Sequence, residues 1–382
     1  MKALTLNAPQ KNWDLTHGME MTEVLAPSLD EKKHPEDANK TLIKPLYAGF
    51  CGSDKSIWFR KAFKDMIFNS LDLKGGSYRV CGHELLGEIL ETGSVAERHY
   101  GYKPGDIVTT ESHIFCGKCH QCQIGEAHVC SNHEIIGITT DGCFADRVKL
   151  PAKELWRTDI SKIRPEVAAI QEPLGNAVHA CSRVDLRGKS VAIFGCGTIG
   201  LFSVIVARAL GAAYIIGTDT NSKNLELAER LGVDLSIKIP EENGQGAILS
   251  VIEQIRKDRH GEGVDASIEM AGSNDALNAA IASVRPGGDI ILFGIASGDY
   301  TISNFQEIVM NGKSLHSVVG RQVFKTWHIL NNLLLSKETR LQEKIYEIIL
   351  NKGVGTIYPF DKFNSKNFEE SIQSHPKIVF KF

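Results

Sequence analysis

The hydrophobic pattern changes character along the chain, and its clearest stretch lies in the middle. Ser190–Phe194 (SVAIF) is an apolar run of strand length, followed at once by Gly195, Gly197 and Gly200. The residues after it, LFSVIVARALGA, place apolar side chains at helical spacing. Tyr214–Asp219 (YIIGTD) reads as a second strand that ends in an acid. Two more apolar runs follow: VDASIEM, ending at Ala271-Gly272, and DIILF, ending at Gly294-Ile295. The RPGG of Arg285–Gly288 between them predicts a turn. Strands alternating with helices predict a doubly wound parallel sheet, with ligands at the carboxyl ends of its strands. Upstream, short runs punctuated by Gly and Pro, such as GDIVTTESH and CFADRVKLP, predict antiparallel β-structure.

The glycines carry chemistry. Gly195, Gly197 and Gly200, with Thr198 and Ile199 between them, form a G-x-G-x-x-G fingerprint in a strand–turn–helix–strand–acid context. Gly195 suits the tight turn, Gly197 the approach of a pyrophosphate, and Gly200 close packing of helix on strand. The helix N-terminus then offers N–H groups and a positive dipole end to the phosphates. Asp219 is placed to accept from the adenosine ribose hydroxyls. A 2′-phosphate would meet that carboxylate, and Thr220, Asn221 and Ser222 supply no arginine for it, so NAD is expected rather than NADP. Lys223 is the one nearby cation. Gly272, Gly294 and Ile295 fall where the nicotinamide end should lie.

Four of the nine cysteines crowd into CGKCHQCQIGEAHVC: Cys116, Cys119, Cys122 and Cys130. Such clustering favours a metal over disulfides, and four thiolates match a closed, structural zinc site. Gly117 and Gly125 ease the turns between them. Composition then narrows the setting. Hydrophobic residues make up 42% and charged residues 23% of 382, the mix of a globular protein of two or three domains. A net charge of -3 gives no reason to expect nucleic acid or anionic membrane as partner. No apolar run reaches membrane-spanning length, and the first residues do not read as a signal peptide. A cytoplasmic setting is the expectation.

Further motifs resemble one family. GHELLGEILETG at Gly82–Gly93 is similar to the zinc signature of the medium-chain, zinc-dependent alcohol dehydrogenases, and FCGSD at Phe50–Asp54 resembles the segment around their first zinc ligand. Both stand in the family's order relative to the four-cysteine lobe and the glycine fingerprint. QEPLGNAVHA (Gln171–Ala180) and GRQVFKTW (Gly320–Trp327) resemble the branch of the L-threonine 3-dehydrogenases, with the sorbitol dehydrogenases next. The resemblance implies an α/β fold: a GroES-like, β-rich catalytic domain over 1–178 and 319–382, with an inserted Rossmann domain over 179–318. It implies two zinc ions, NAD, a homotetramer or homodimer, and an active site in the cleft between the domains.

It also implies roles. Cys51 and His83 would hold a catalytic zinc, with Glu84 and Glu172 in its environment and no choice made between them. Ser53 would begin a proton relay, and Arg321 would lie near the cofactor. Zinc-assisted hydride transfer from a secondary alcohol is the reaction expected, on L-threonine or else on a polyol, butanediol or sugar alcohol. A non-catalytic NAD-binding protein stabilised by zinc is the contrasting class. One departure stands out. Many members of the family carry a histidine five residues after the first zinc cysteine, where this chain has Ser56. Around it lie Lys55, Trp58, Phe59, Arg60, Lys61, Phe63 and Lys64, a bulky and basic segment that would border the cleft for an anionic substrate, while each lysine taken singly reads as part of a solvated loop.

Overall fold

The computed structural model describes residues 1–7, 10–240, 245–295 and 298–382, without the side chains of 10–12 and 245–248. The chain forms two compact units, Met1–Pro173 with Ile345–Phe382, and Leu174–Lys344. Residues 174–178 and 319–344, expected with the first unit, therefore go with the second. The reason is local. His179 Nδ1 lies 2.9 Å from the Gly320 carbonyl, and Arg321 donates to Asn176 at 2.8 Å, so this segment is tied to the helix Gln171–Cys181. Among the described residues no helix is long and apolar enough to cross a membrane.

The first unit is built on the long strand Lys40–Phe50 in a seven-stranded sheet. It pairs antiparallel with Glu84–Thr92 on one side and Ile378–Lys381 on the other. The register shifts between Pro45 and Tyr47, where proline has no N–H for the ladder. Phe50 at the strand's end packs among aromatic rings, 5.0 Å from Phe368 and 5.9 Å from Phe144 between centroids, with Trp58 and Phe380 beside it. That apolar cluster fixes the residue before Cys51. Ile107–Thr110 and Val148–Pro151 are strands as the punctuated runs predicted.

The basic segment after Cys51 has local work. Trp58 is fully buried and donates to Glu369 at 3.0 Å. Arg60 donates to the carbonyls of Ile57 and Gly18 and lies over the Trp13 ring at 5.1 Å, while Lys64 pairs with Asp14. These side chains fasten a loop and cap backbone carbonyls. Trp58 and Arg60 are therefore taken up in packing and carbonyl contacts rather than in a basic rim for an anion.

The second unit carries a six-stranded, all-parallel sheet in the order Leu235–Lys238, Tyr214–Asp219, Ser190–Phe194, Val264–Glu269, Val284–Leu292, Ser314–Ser317. This is the doubly wound dinucleotide-binding order, and its reversal lies beside Ser190–Phe194. The helix Thr198–Ala209 is apolar on nearly every side and buries Gly200 through Ala207. One expectation fails here. Arg285–Gly288 is a bulge inside the strand Val284–Leu292, because the pairing jumps from Val264/Val284 to Ala266/Asp289 and Gly287 takes up the bend at φ 69°.

Asp37 ties the first unit's edge together. Its buried carboxylate accepts from the Asp30 N–H and from the ammonium groups of Lys149 and Lys40, at 2.9–3.2 Å. Burial opposes the charge, yet those donors hold the carboxyl down to about 2. A depressed carboxyl stabilises the fold above its unfolded value near pH 4 and loses that contribution as pH falls toward 2. Asp37→Asn should therefore remove part of the acid slope of stability between about pH 4 and 2. Melting temperatures read across that window check it.

Candidate active site

Two neighbouring strands of the first unit bring the metal-type residues together. Cys51 follows the strand Lys40–Phe50 and caps the helix Gly52–Trp58, while His83 precedes the strand Glu84–Thr92. Gly49 and Glu84 are direct partners in that ladder. Gly49 has to be glycine, because a Cβ there would run into the Glu84 carboxylate and come within 2.9 Å of Ile170. The donor atoms of Cys51, His83 and Glu84 lie within 4.8 Å of one another. Thiolate, imidazole and carboxylate are a three-ligand set of the kind that leaves a fourth zinc position open for chemistry.

The surroundings of this set are charged and buried. Asp54 accepts the Cys51 N–H at 2.9 Å with one oxygen and sets the other 3.7 Å from His83 Nδ1. Burial disfavours a His83 cation, but Asp54, the Cys51 sulfur and Glu172 outweigh it and hold the imidazole well above its ordinary value. Burial pushes Glu84 up, opposed by Lys377, whose ammonium reaches Glu84 Oε1 at 2.5 Å and the Phe50 carbonyl at 3.1 Å. Ser53 Oγ lies 3.4 Å from His83 Nε2. Glu172 is buried close enough to act on His83 and Glu84, yet it stands outside the 4.8 Å set. Its Oε1 instead accepts from Ser112 at 2.6 Å.

The cysteine lobe passes a geometric test for zinc. Four sulfurs at about 2.3 Å from one ion, at tetrahedral corners, lie roughly 3.8 Å apart. Cys119 Sγ is 3.5 Å from Cys122 Sγ and 3.8 Å from Cys130 Sγ, and all four sulfurs lie within 4.8 Å of one another. Backbone N–H groups point at them: Lys118 and Cys119 at Cys116, and Asn132 at Cys130, each at 3.4 Å. Those of Lys118 and Cys119 lower the Cys116 thiol to about 6, toward the thiolate that binds metal.

In the second unit the glycine loop has the shape its sequence predicted. Gly195 turns at φ 98° against Ala271. Gly197 is exposed and a Cβ on it would meet open space, with Thr198 and Ile199 half-buried beside it. A Cβ on Gly200 would strike the Gly195 carbonyl. First-turn N–H groups have no acceptor within their own helix, so this loop presents donors. Asp219 accepts from the Cys196 and Asn221 backbones and from Asn224, at 2.7–3.1 Å, and so braces the loop. Gly272 (φ 68°), Gly294 and exposed Ile295 meet at the sheet's carboxyl edge. Arg321 is 2% exposed and turned toward Asn176.

Several residues were not singled out from the sequence. Asp54 carried a signal, since a carboxylate three residues after a helix-starting position is the capping-box pattern. Glu269, which accepts from the Ala271 and Gly272 N–H groups at 2.8 and 2.7 Å, had the signal of a strand-terminal acid. Lys377 and Ser112 had none, because their partners are 293 and 60 residues away.

Two family models match the chain: an alcohol dehydrogenase GroES-like domain over residues 37–160, and a zinc-binding dehydrogenase over 198–336. The L-threonine 3-dehydrogenase of Pyrococcus horikoshii is 34% identical over 352 residues, covering 91% of this chain and 90% of its own length. That of Bacillus subtilis is 35% identical over 328 residues, covering 85% and 86%. The solved alcohol dehydrogenase TADH from Thermus sp. ATN1 superposes with a TM-score of 0.80 at 23% identity, covering 100% and 99%. The 2R,3R-butanediol dehydrogenase from Bacillus subtilis does so with 0.79 at 22%, with the same coverage.

The two loop glycines should separate binding from packing. Gly200→Ala, with no room for its methyl, should cost about 1–3 kcal/mol of stability. Gly197→Ala, with open space around it, should leave the melting temperature unchanged and weaken NADH binding. Thermal melts and NADH fluorescence titrations of the two variants check this.

Proposed function

Because the chain belongs to the zinc-dependent medium-chain alcohol dehydrogenases, enzymes that use zinc and a nicotinamide cofactor on a CH–OH group, we propose that it oxidises the secondary hydroxyl of L-threonine with NAD as acceptor. The observation that carries the reading is the Cys51–His83–Glu84 cluster, in a chain 34% identical to a threonine dehydrogenase over 91% of its length. Cys51, His83 and Glu84 would hold the catalytic zinc, and Cys116, Cys119, Cys122 and Cys130 a second, structural one. When bound, the metal polarises the substrate hydroxyl, and the nicotinamide takes the hydride.

The chain's own residues do the rest. Asp54 orients the His83 ring, as carboxylates commonly do behind a metal-binding imidazole. Lys377 balances Glu84 and keeps that carboxylate from standing as an unpaired buried charge. Ser53, beside His83 Nε2, is placed to pass a proton, and Glu172, held by Ser112, is the nearby carboxylate able to accept one. The glycine loop at Gly195, Gly197, Thr198, Ile199 and Gly200 would receive the pyrophosphate. Asp219 has three donors on its carboxylate and one acceptor direction left for a ribose hydroxyl. That carboxylate repels a 2′-phosphate and supports NAD over NADP. Gly272, Gly294 and Ile295 would wall the nicotinamide, and Arg321 would lie near the cofactor.

A second reading keeps the scaffold and changes the substrate to a polyol, butanediol or sugar alcohol. Ser56, in place of the relatives' histidine, is the observation that favours it.

Metal analysis and turnover test these roles together. The zinc-loaded protein should hold two zinc ions per chain and form NADH from L-threonine. Cys51→Ser should lose one zinc and all NADH formation while keeping its melting temperature. Cys130→Ser should lose the other zinc and melt earlier. Turnover confined to a polyol would discard threonine. One zinc per chain, retained in Cys51→Ser, would discard the catalytic assignment.

A further inference from the structure

We propose that Glu269 is a positioning residue for the nicotinamide end of the cofactor: its carboxylate clamps, from beneath, the two loops at residues 271–273 and 294–295 that would wall that end. The inference rests on the dinucleotide reading above and deepens it by naming the side chain that gives the subsite its shape.

The backbone creates the need for a clamp. Glu269 is the last residue of the strand Val264–Glu269, and its ladders with both neighbouring strands end at Glu269 itself. Its carbonyl accepts from Phe293 and Gly294 at 3.1 Å, and the Met270 N–H reaches the Phe194 carbonyl at 2.8 Å. Beyond Met270 the chain leaves the sheet. Gly272 turns at φ 68°, and the helix Asn274–Ser283 starts where Ser273 accepts the Ala276 N–H at 3.1 Å. Between strand and helix, the N–H groups of Ala271 and Gly272 turn inward. One oxygen, Glu269 Oε1, accepts both, at 2.8 and 2.7 Å.

The other carboxylate oxygen lies against the second loop. A Cβ on Gly294 would stand 2.5 Å from Glu269 Oε2 and 2.3 Å from the Gly272 nitrogen. A Cβ on Gly272 would come within 2.8 Å of the Ile295 carbonyl oxygen. The two loops therefore touch through their backbones, with the carboxylate under both. Burial pushes the Glu269 carboxyl up, and the N–H groups of Gly272, Ala271, Gly294 and Ser273 oppose it. Glu269 is 2% exposed, whereas Ile295 is 87% exposed and Ala271 is exposed as well. The clamp is inside and the outer face of the wall is open.

A nicotinamide is a flat ring with a carboxamide, so a wall made of backbone recognises it by contact and by N–H and C=O groups at fixed positions. Loops held in place before the ligand arrives lose little freedom when it binds. Without the carboxylate the two inward N–H groups stand unpaired, and the loop turns outward to find water. The glycine loop, which Gly195 sets against Ala271, has its own brace in Asp219. Glu269 thus acts on one end of the cofactor.

The test compares NADH with ADP, which has the adenosine and pyrophosphate but neither the nicotinamide nor its ribose. In the zinc-loaded full chain, Glu269→Leu should raise the NADH Kd by on the order of tenfold and leave zinc content and the ADP Kd at wild-type values. Glu269→Gln keeps one acceptor oxygen and should recover most of the NADH affinity. Fluorescence titration reads NADH and calorimetry reads ADP. An equal loss for the two ligands would reduce Glu269 to a merely structural part and overturn the proposal. An unchanged NADH Kd, or a Gln variant no better than the Leu variant, would overturn it as well. A second measurement needs no variant: in the cofactor-free wild type, hydrogen exchange at the Ala271 and Gly272 amides should be slow. Exchange there at the rate of an open chain would overturn the clamp even if NADH binds. A wild type that binds neither NADH nor ADP would sink the dinucleotide reading itself.

Discussion

The centre of the first unit depends on keeping negative charge buried in one place. A thiol, an imidazole and the carboxylates of Asp54, Glu84 and Glu172 converge there, and the ammonium of Lys377 stands against Glu84. Each ion taken out of water costs several kcal/mol unless it is paired. Lys377 pairs with Glu84, and a zinc ion held as proposed by Cys51, His83 and Glu84 would offset negative charge in the rest of the set. The upward shift of His83 expresses the same negative charge, since the buried ring is drawn toward its cation by its neighbours. A site of this kind contributes little stability by itself. It is held in place by the apolar packing of Phe50, Phe144, Phe368 and Phe380 around it.

Backbone pairing sets the geometry. The ladder that puts Gly49 opposite Glu84 also puts Cys51 beside His83, and the helix that Cys51 caps returns Asp54 to the ring. The cysteine lobe closes differently, through short loops whose N–H groups point at sulfur. As proposed, the first set would leave one zinc position open and the second would fill all four, the difference between a catalytic and a structural zinc. In the second unit Asp219 braces the glycine loop without a metal, through the Cys196 and Asn221 N–H groups and the Asn224 amide.

Much of this was legible in the sequence because the relevant residues lie close together. The glycine fingerprint, the four cysteines and the His83-Glu84 pair are local patterns whose physics needs only a turn or a strand. Residues that act across the fold were not legible. Lys377 reads as a solvated lysine until the final strand is paired with Lys40–Phe50, and Ser112 reads as a loop hydroxyl until Glu172 is folded onto it. The RPGG bulge misled because two glycines after a proline signal a turn, whereas the neighbouring parallel strands carried the pairing past it. The basic segment after Cys51 misled for a related reason, since Arg60 meets the Trp13 ring and the Gly18 carbonyl, both far back in the chain.

The central claim, that one buried mixed-ligand set and one all-sulfur set each hold zinc, is tested most directly by zinc K-edge X-ray absorption of the fully loaded protein. The account predicts a composite first shell, with sulfur at about 2.3 Å and nitrogen or oxygen at about 2.0–2.2 Å. A shell of sulfur alone would contradict it, leaving the lobe as the sole metal centre and Cys51, His83 and Glu84 without the ion that their charge requires.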